Sequence, residues 1–304
     1  AHADARADAF EIPPQITSRA LRQVACQRSA RSRYGTFKSA RDLFEDPSKD
    51  AAGNGTSVPQ RSNTTARFNA CSFTGGSFCG GSSKARRTRW LRWLKVIRLV
   101  AFDLDGTLVR DRTCVEAIAC TIGREQECTA FERLDMRDVP AVAAARDEMA
   151  RWYRPYRHDE LTAGLSDLPL APGSEEAFAL LRERGVATAI VSITWSFAVD
   201  WFARRLCADY AHGTRLGPDG IDHVWPADKG RWLRDLTQHL ALPRQAVAAI
   251  GDSDGDRELL DAAGVRYCVG EQKIAVPGIV HMPRANMLEI ARQLMCEPAP
   301  GNAR

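Results

Sequence analysis

From Val96 onward, short apolar runs alternate with stretches of helical period, and this alternation most constrains the fold. The runs that read as strands are VIRLVAF (96–102), VATAIV (186–191), AVAAI (246–250) and VRYCVG (265–270). The intervening stretches that read as helices include SEEAFALLRERG (174–185) and DRELLDAAG (256–264), each ending at a glycine. Apolar strands separated by helices predict the α/β class, with a Rossmann-like parallel sheet as the core.

Residues 111–170 carry no strand pattern and divide into amphipathic helices at about 113–122, 125–134, 139–154 and 158–166. They predict a helical cap inserted into an α/β core formed by residues 96–110 and 171–295. Residues 296–304 are left as a C-terminal tail. A Pro-Asp-Gly turn between modest strand runs predicts a hairpin within residues 215–225.

Residues 1–95 mix Ser, Arg, Gly, Asn and Thr without strand or helical period, which predicts a disordered segment. This segment holds 17 Lys and Arg against 7 Asp and Glu, which leaves 25 against 31 for the rest of the chain. The formal net charge of +4 therefore describes neither part. Arg alternates with Trp in KARRTRWLRWLK (84–95), which would suit a nucleic-acid or membrane surface, although such a stretch is more often a linker. The alternatives for the whole segment are a transit peptide, which its acidic residues disfavour, and a reading frame that opens upstream of the true start.

No apolar run reaches the roughly 18 residues that a membrane span needs, and the N-terminus lacks the apolar stretch of a signal peptide. A cytoplasmic protein without a membrane partner is therefore expected. The nine cysteines include no C-x-x-C pair among those after residue 96, so no disulfide framework is predicted.

Acidic side chains follow two of the predicted strands. Asp103 and Asp105 come after the first strand, and Asp252 comes after the run 246–250. Because the carboxyl ends of parallel strands meet at one edge of a sheet, we expect these acids to converge. Close carboxylates repel one another unless a cation relieves the repulsion. Oxygen ligands without a nearby His or Cys favour Mg²⁺ over zinc.

Such a site has the groups that phosphoryl transfer needs. A carboxylate beside Mg²⁺ can attack phosphorus, and an acid two residues on can supply and remove a proton. Ser192, after the strand 186–191, and Lys229, at a predicted helix start, are donor types that hold phosphoryl oxygens. Taken alone, each of these residues would more often be a helix cap, a turn residue or a surface side chain. The stretch GDSDGD also resembles a calcium-binding loop, but the next acid, Glu258, follows it too closely in the sequence for an EF-hand. It is their joint occurrence that favours phosphoryl transfer.

The same residues resemble the haloacid dehalogenase superfamily over about residues 96–295. Its D-x-D-x-T pattern appears as Asp103, Asp105 and Thr107; its Ser and Lys as Ser192 and Lys229; and its G-D-x-x-x-D as Gly251, Asp252 and Asp256. The cap position and the stretch LAPGSEEAFALLRERG are most similar to the phosphoserine phosphatase-like branch.

The resemblance implies a role for each matching residue. Asp103 would be the nucleophile and a Mg²⁺ ligand, and Asp252 a second carboxylate ligand. Asp105 would be the general acid/base and would bind the ion through its backbone carbonyl. It would also favour phosphate hydrolysis, because dehalogenases of the superfamily lack the second aspartate. Ser192 and Lys229 would hold the phosphoryl oxygens. Asp256 would orient Lys229 or support the metal site without binding the ion.

The implied activity is a Mg²⁺-dependent phosphomonoester hydrolase that acts on a small phosphorylated metabolite through an aspartyl-phosphate. Its alternatives are a phosphotransferase or mutase of the same superfamily, and a non-catalytic binding protein with a basic N-terminal arm. The oligomeric state is not predicted.

The substrate is less defined than the reaction. Arg112 stands where phosphoserine phosphatases typically carry a glutamate, with Glu116 the nearest acid. Residues 192–194 read Ser-Ile-Thr in place of Ser-Gly-Gly, and Gly255 replaces an asparagine. A phosphoserine-like substrate is thus one candidate among several. Arg146 and Arg151 in the cap could meet a substrate carboxylate, but neither is assigned to the site.

Overall fold

A computed structural model describes residues 97–295 of this chain. Its strands are β1 (Leu99–Phe102), β2 (Ala187–Trp195), β3 (Tyr210–Leu216), β4 (Ile221–Asp222), β5 (Val247–Gly251), β6 (Val265–Cys268) and β7 (Val280–His281). They form one sheet in the order β4-β3-β2-β1-β5-β6-β7. Neighbouring strands are parallel except for β3 and β4, so the predicted α/β class with a parallel core is confirmed.

The helices are α1 (Cys114–Thr121), α2 (Glu125–Phe131), α3 (Val139–Tyr153), α4 (His158–Leu161), α5 (Ser174–Glu183), α6 (Ser196–Leu206), α7 (Pro226–His239), α8 (Arg257–Ala262) and α9 (Met287–Leu294). Short 3₁₀ helices cover Ala163–Asp167, Arg244–Ala246 and Asp254–Asp256. None of the helices in this part of the chain is long and apolar enough to cross a membrane.

Strand β1 lies between β2 and β5 and is buried on both faces. Because side chains alternate along a strand, Phe102 belongs to the apolar cluster on one side of the sheet and Ala101 to the cluster on the other. The Phe102 ring stacks on Phe178 of α5 at 4.7 Å between ring centres. The predicted apolar run thus becomes the central strand of a sheet covered on both sides.

Helices α1 to α4 lie between β1 and α5, as the helical pattern predicts. The two ends of this helical segment lie side by side and are joined by backbone hydrogen bonds. Arg110 N donates to Pro169 O at 3.1 Å, and Ala171 N donates to Leu108 O at 2.8 Å. The fourth predicted helix, 158–166, is only one α-helical turn, which ends near Thr162 and continues as the 3₁₀ helix. Both the Thr162 hydroxyl, at 2.8 Å, and the Thr162 N–H, at 3.0 Å, donate to His158 O.

Two local predictions need correction, and one is confirmed. Strand β2 does not end at Ser192 but continues to Trp195 through a register shift after Val191, because the following residues are also largely buried. Cys207 is disulfide-bonded, against the expectation of no disulfide. The predicted hairpin is present as the antiparallel pair of β3 and β4.

The predictions for residues 1–95, including the basic stretch 84–95, and for residues 296–304 lie outside the described residues.

Candidate active site

The acidic residues converge at the carboxyl edge of the sheet. Phe102 at the end of β1 is level with Ile250 in β5, so Asp103 and Asp252 emerge from neighbouring strands. The Asp103 amide donates to Ile250 O at 2.9 Å, which continues the strand pairing up to the acid itself. One carboxylate oxygen each of Asp103, Asp252 and Asp256 lies within 4.8 Å of the other two. We call these three residues the carboxylate cluster.

Lys229 lies inside the cluster, although it is 126 positions from Asp103 in the sequence. Its ammonium donates to Asp103 Oδ1 at 2.7 Å and also to Asp256 Oδ1. The side chain is only 3% exposed, so this charge is paired rather than solvated. Burial alone would lower the pKa of Lys229, but the charges of Asp103 and Asp256 raise it above its ordinary value.

Asp256 uses both of its oxygens on protein donors. Oδ1 accepts from Lys229, and Oδ2 accepts the backbone N–H groups of Asp252 at 2.9 Å and Ser253 at 3.3 Å. In contrast, Asp103 Oδ2 has no hydrogen-bond donor within residues 97–295. The geometry therefore leaves Asp103 an oxygen for chemistry, whereas it commits Asp256 to holding Lys229 and the turn after β5.

The crowding of like charges shifts the pKa values of the cluster. Burial and then the charge of Asp256 raise the pKa of Asp103 well above its ordinary value, although Lys229 lowers it. Burial and the charge of Asp256 also raise the pKa of Asp252, to about 7. One lysine thus compensates only part of the negative charge, and a divalent cation with oxygen ligands would fit the donor set.

The turn after β1 wraps onto Asp252. Gly106 has φ +88°, and a Cβ there would lie 2.4 Å from Asp252 Oδ2, so both the backbone conformation and the close approach require glycine. The buried Thr107 hydroxyl donates to Asp252 Oδ1 at 3.3 Å. Thr107 was not assigned to the site from the sequence; the signal was its place in D-x-D-x-T.

Asp105 lies against the start of α1. Its Oδ1 accepts the backbone N–H of Cys114, the first residue of α1, at 2.7 Å. Burial raises the pKa of Asp105, and the hydrogen bond from Cys114 lowers it by less. The carboxylate is thus outside the carboxylate cluster and oriented by the first turn of α1. A carboxyl group with a raised pKa is suited to carry a proton to or from a reacting group.

Ser192 lies at the same edge of the sheet. It is 1% exposed and follows Val191 at the start of the irregular part of β2. Its hydroxyl oxygen accepts the N–H of Thr194 at 3.2 Å. No hydrogen bond joins Ser192 to the carboxylate cluster within the described residues, so the two are neighbours by strand register rather than by direct contact.

Four residues between β1 and α5 that were considered for substrate contacts differ in their surroundings. Arg112 is exposed, and the Glu116 carboxylate accepts the Thr113 N–H at 2.8 Å, which caps α1. Arg151 is exposed and pairs with Glu148. Arg146, in contrast, is buried against the core, which the sequence did not indicate because a buried and a solvated helix arginine have the same local pattern.

Comparison with known proteins agrees with this arrangement. A family model described as haloacid dehalogenase-like hydrolase matches residues 100–261. The chain is 26% identical over 188 residues to a phosphoserine phosphatase of Archaeoglobus fulgidus, covering 58% of this chain and 54% of that protein. It is 27% identical over 179 residues to a phosphoserine phosphatase of Idiomarina loihiensis, covering 55% of this chain and 79% of that protein. The chain thus spans about half the length of the first relative.

A solved structure supports the fold. A crystal structure of phosphoserine phosphatase in apo form superposes with a TM-score of 0.52 at 20% identity, covering 66% of this chain and 98% of that one. At this identity the likeness concerns the backbone architecture and not the substrate.

The space around Asp252 can be tested with two alanine substitutions. Gly106 and Gly123 both have positive φ, but a Cβ at 123 would meet nothing within 4 Å. Gly123→Ala should therefore cost only the backbone strain, about 1–2 kcal/mol. Gly106→Ala should cost about 1–3 kcal/mol more, because the new methyl group collides with Asp252. Urea unfolding of both variants measures the difference, and equal losses would contradict the tight packing of Asp252.

Proposed function

The chain belongs to the haloacid dehalogenase-like hydrolase family, and on this premise we propose that it is a Mg²⁺-dependent phosphomonoester hydrolase that works through an aspartyl-phosphate. The observation that carries the proposal is the carboxylate cluster with Lys229 inside it, at the ends of β1 and β5. A buried group of acids with one lysine is costly for stability alone, and perturbed pKa values of this kind are common at catalytic sites.

In the first half of the reaction, an Asp103 carboxylate oxygen forms a bond to phosphorus while the bond from phosphorus to the leaving alcohol oxygen breaks. Oδ2 of Asp103 supports this role, because it has no hydrogen-bond donor among residues 97–295. Asp105, protonated, gives its proton to the leaving oxygen. The raised pKa of Asp105, caused chiefly by burial, supports a proton-carrying role.

In the second half, Asp105 is a carboxylate and takes a proton from water. The water oxygen bonds to phosphorus, and the bond between phosphorus and Asp103 breaks, which releases phosphate and restores both side chains. The same residue thus acts as acid and then as base. The hydrogen bond from Cys114 N to Asp105 Oδ1 holds this carboxyl group in one orientation through both halves.

The phosphoryl oxygens would be held by Ser192 and Lys229. Lys229 already touches Asp103, so its ammonium is placed beside the group that would receive the phosphoryl. Asp256 orients Lys229 through Oδ1 and is itself fixed by two backbone N–H groups. Preorganised donors of this kind stabilise the charge that develops on the phosphoryl group.

Asp103 and Asp252 are the side chains that would hold Mg²⁺, with the backbone carbonyl of Asp105 as a further ligand. Their all-oxygen donor set and the crowding of their charges fit a hard cation. When bound, the ion would polarise the phosphoryl oxygens and neutralise charge in the transition state.

We further propose that residues 111–170 act as a cap over a core of residues 96–110 and 171–295, and that the substrate is a small phosphorylated metabolite. The phosphoserine phosphatases among the relatives support including phosphoserine in any substrate panel. Arg112 is exposed and Glu116 uses one carboxylate oxygen to cap α1, so this turn does not single out a substrate that carries an amine. Other phosphomonoesters therefore belong in the panel on equal terms.

A panel of phosphorylated metabolites, assayed with Mg²⁺ and with EDTA, tests the activity. At least one should release phosphate only with the metal, and acceptor alcohols should not become phosphorylated.

Asp103→Asn should lower kcat by about 10³-fold or more, because the amide is a far weaker nucleophile. Asp254→Asn is the control, since Asp254 is exposed and pairs with Arg257, and it should retain turnover. Activity in Asp103→Asn would contradict the assignment of the nucleophile.

Replacement of Asp105 tests the proton transfer. In Asp105→Asn the amide oxygen can still accept the Cys114 N–H, so the fold should be kept, but an amide cannot deprotonate water. The substitution is expected to lower kcat by about 10²–10⁴-fold. It should also accumulate phosphate on Asp103, seen as an added phosphate mass in the intact protein. Normal turnover without a trapped phospho-enzyme would exclude Asp105 as the base.

Metal binding should depend on pH because of Asp252. The folded pKa of about 7 lies above the ordinary value near 4, so the folded state keeps a proton that the unfolded state has lost. This group's contribution to stability therefore falls as pH rises from about 4 to about 7. Mg²⁺ binds the deprotonated form and should raise the melting temperature more at about pH 8 than at about pH 5. At a concentration of about 100 times its Kd, Mg²⁺ should add about 2.7 kcal/mol to the free energy of unfolding.

Asp252→Asn should lose most of this thermal shift, whereas Asp254→Asn should keep it. A shift of the same size in Asp252→Asn would mean that Mg²⁺ binds elsewhere on the protein.

A further inference from the structure

Arg146 of α3 crosses from the cap to the core and is only 6% exposed. One guanidinium nitrogen donates to Ile193 O at 2.9 Å and to Val224 O at 3.2 Å. The other terminal nitrogen lies 3.3 Å from His223 Nδ1, and the guanidinium carbon lies 4.8 Å from the centre of the Trp225 ring. A single cap side chain thus contacts two separate segments of the core.

Each of the two segments lies close in sequence to a residue that we propose to hold the phosphoryl oxygens. Ile193 directly follows Ser192, and Val224 lies two residues before α7, which carries Lys229. The buried Thr214 joins the same two segments, since its hydroxyl donates to Ile193 O at 2.8 Å and accepts the Val224 N–H at 3.1 Å. Arg146 and Thr214 therefore link the segment after Ser192 to the start of the helix that carries Lys229.

Within the described part of the chain, no acid forms an ion pair with Arg146, and burial lowers its pKa to about 10. Its charge is balanced by two carbonyl dipoles and the face of an aromatic ring, which suit a guanidinium better than an ammonium. Burying a cation without an acidic partner costs stability even with these contacts, and this cost favours a role for them beyond stability alone.

We propose that Arg146 is a positioning residue that fixes the cap to the segment after Ser192 and to the start of α7, so that both phosphate-binding side chains are held while the cap is closed. The inference rests on the proposed function and adds a residue to it. We assign Arg146 to positioning rather than to substrate binding because both of its terminal nitrogens already contact protein atoms.

The matched control is Arg154, at the end of the same helix. It also donates from a guanidinium to two backbone carbonyls, Gly217 O at 3.2 Å and Pro218 O at 3.1 Å, but it is exposed and its acceptors adjoin neither Ser192 nor α7. Arg146→Gln and Arg154→Gln therefore remove the same chemistry from two places. Circular dichroism checks whether both variants are folded.

Hydrogen–deuterium exchange of the full chain without substrate is the first readout. Arg146→Gln should speed exchange by about tenfold to a hundredfold in residues 193–194 and 224–229, because charged hydrogen bonds to those segments are lost. Arg154→Gln should change exchange only near the hairpin of β3 and β4. Unchanged exchange in the first two segments of Arg146→Gln would overturn the proposal. If that variant does not fold, Arg146→Lys, which keeps the charge but cannot bridge both carbonyls, carries the same comparison.

Steady-state kinetics on the substrate that the wild-type protein turns over best is the second readout. Arg146→Gln should lower kcat by about tenfold to a hundredfold with KM within about threefold, because misplaced phosphate-binding groups reduce the rate rather than the binding of the whole substrate. Arg154→Gln should leave both constants near their wild-type values. A raised KM with unchanged kcat would instead make Arg146 a substrate-binding residue and overturn the proposal.

A wild-type protein without phosphatase activity would refute the proposed function, whereas the exchange comparison would still decide whether Arg146 orders the two segments.

Discussion

The Lys229 ammonium, held between Asp103 and Asp256 where all three side chains are buried, is the interaction on which the site depends. Without it, three acids would share a buried edge of the sheet, and their mutual repulsion would favour protonation or opening of the site. With it, Asp103 stays close to the other acids and still keeps one oxygen free of protein donors among residues 97–295. The lysine therefore makes a dense arrangement of acids compatible with a folded chain.

The backbone around the cluster has to come unusually close to bring these charges together. A Cβ at Gly230, next to Lys229, would lie 2.3 Å from Glu258 O of α8, so glycine lets α7 approach the helix that follows Asp256. A Cβ at Gly251 would collide with the Asp256 side chain at 2.5 Å. Glycines beside the acids thus have a packing reason that is separate from any contact with a ligand.

The elements that could be predicted from the sequence are those governed by local pattern and sheet register. The apolar runs ending at Phe102 and Ile250 were sufficient to place Asp103 and Asp252 together, because parallel strands share an edge. Long-range side-chain contacts could not be predicted in this way. Nothing local distinguishes Arg146, buried on two core carbonyls, from the exposed Arg151 on the same helix. The extension of β2 beyond Ser192 was also missed, because it depends on burial of residues 193–195 against the rest of the chain.

The proposed cap, residues 111–170, contacts the site at two chemically different points. Asp105 accepts a hydrogen bond from the first residue of α1, and Arg146 of α3 donates to the segments beside Ser192 and Lys229. Any movement of the cap away from the core must break both sets of bonds or carry their partners with it. The proposed acid/base group and the proposed phosphate-binding groups are therefore arranged together only while the cap is in place. If residues 111–170 close over the site as proposed, closure would exclude bulk water and assemble the catalytic groups in the same conformational event.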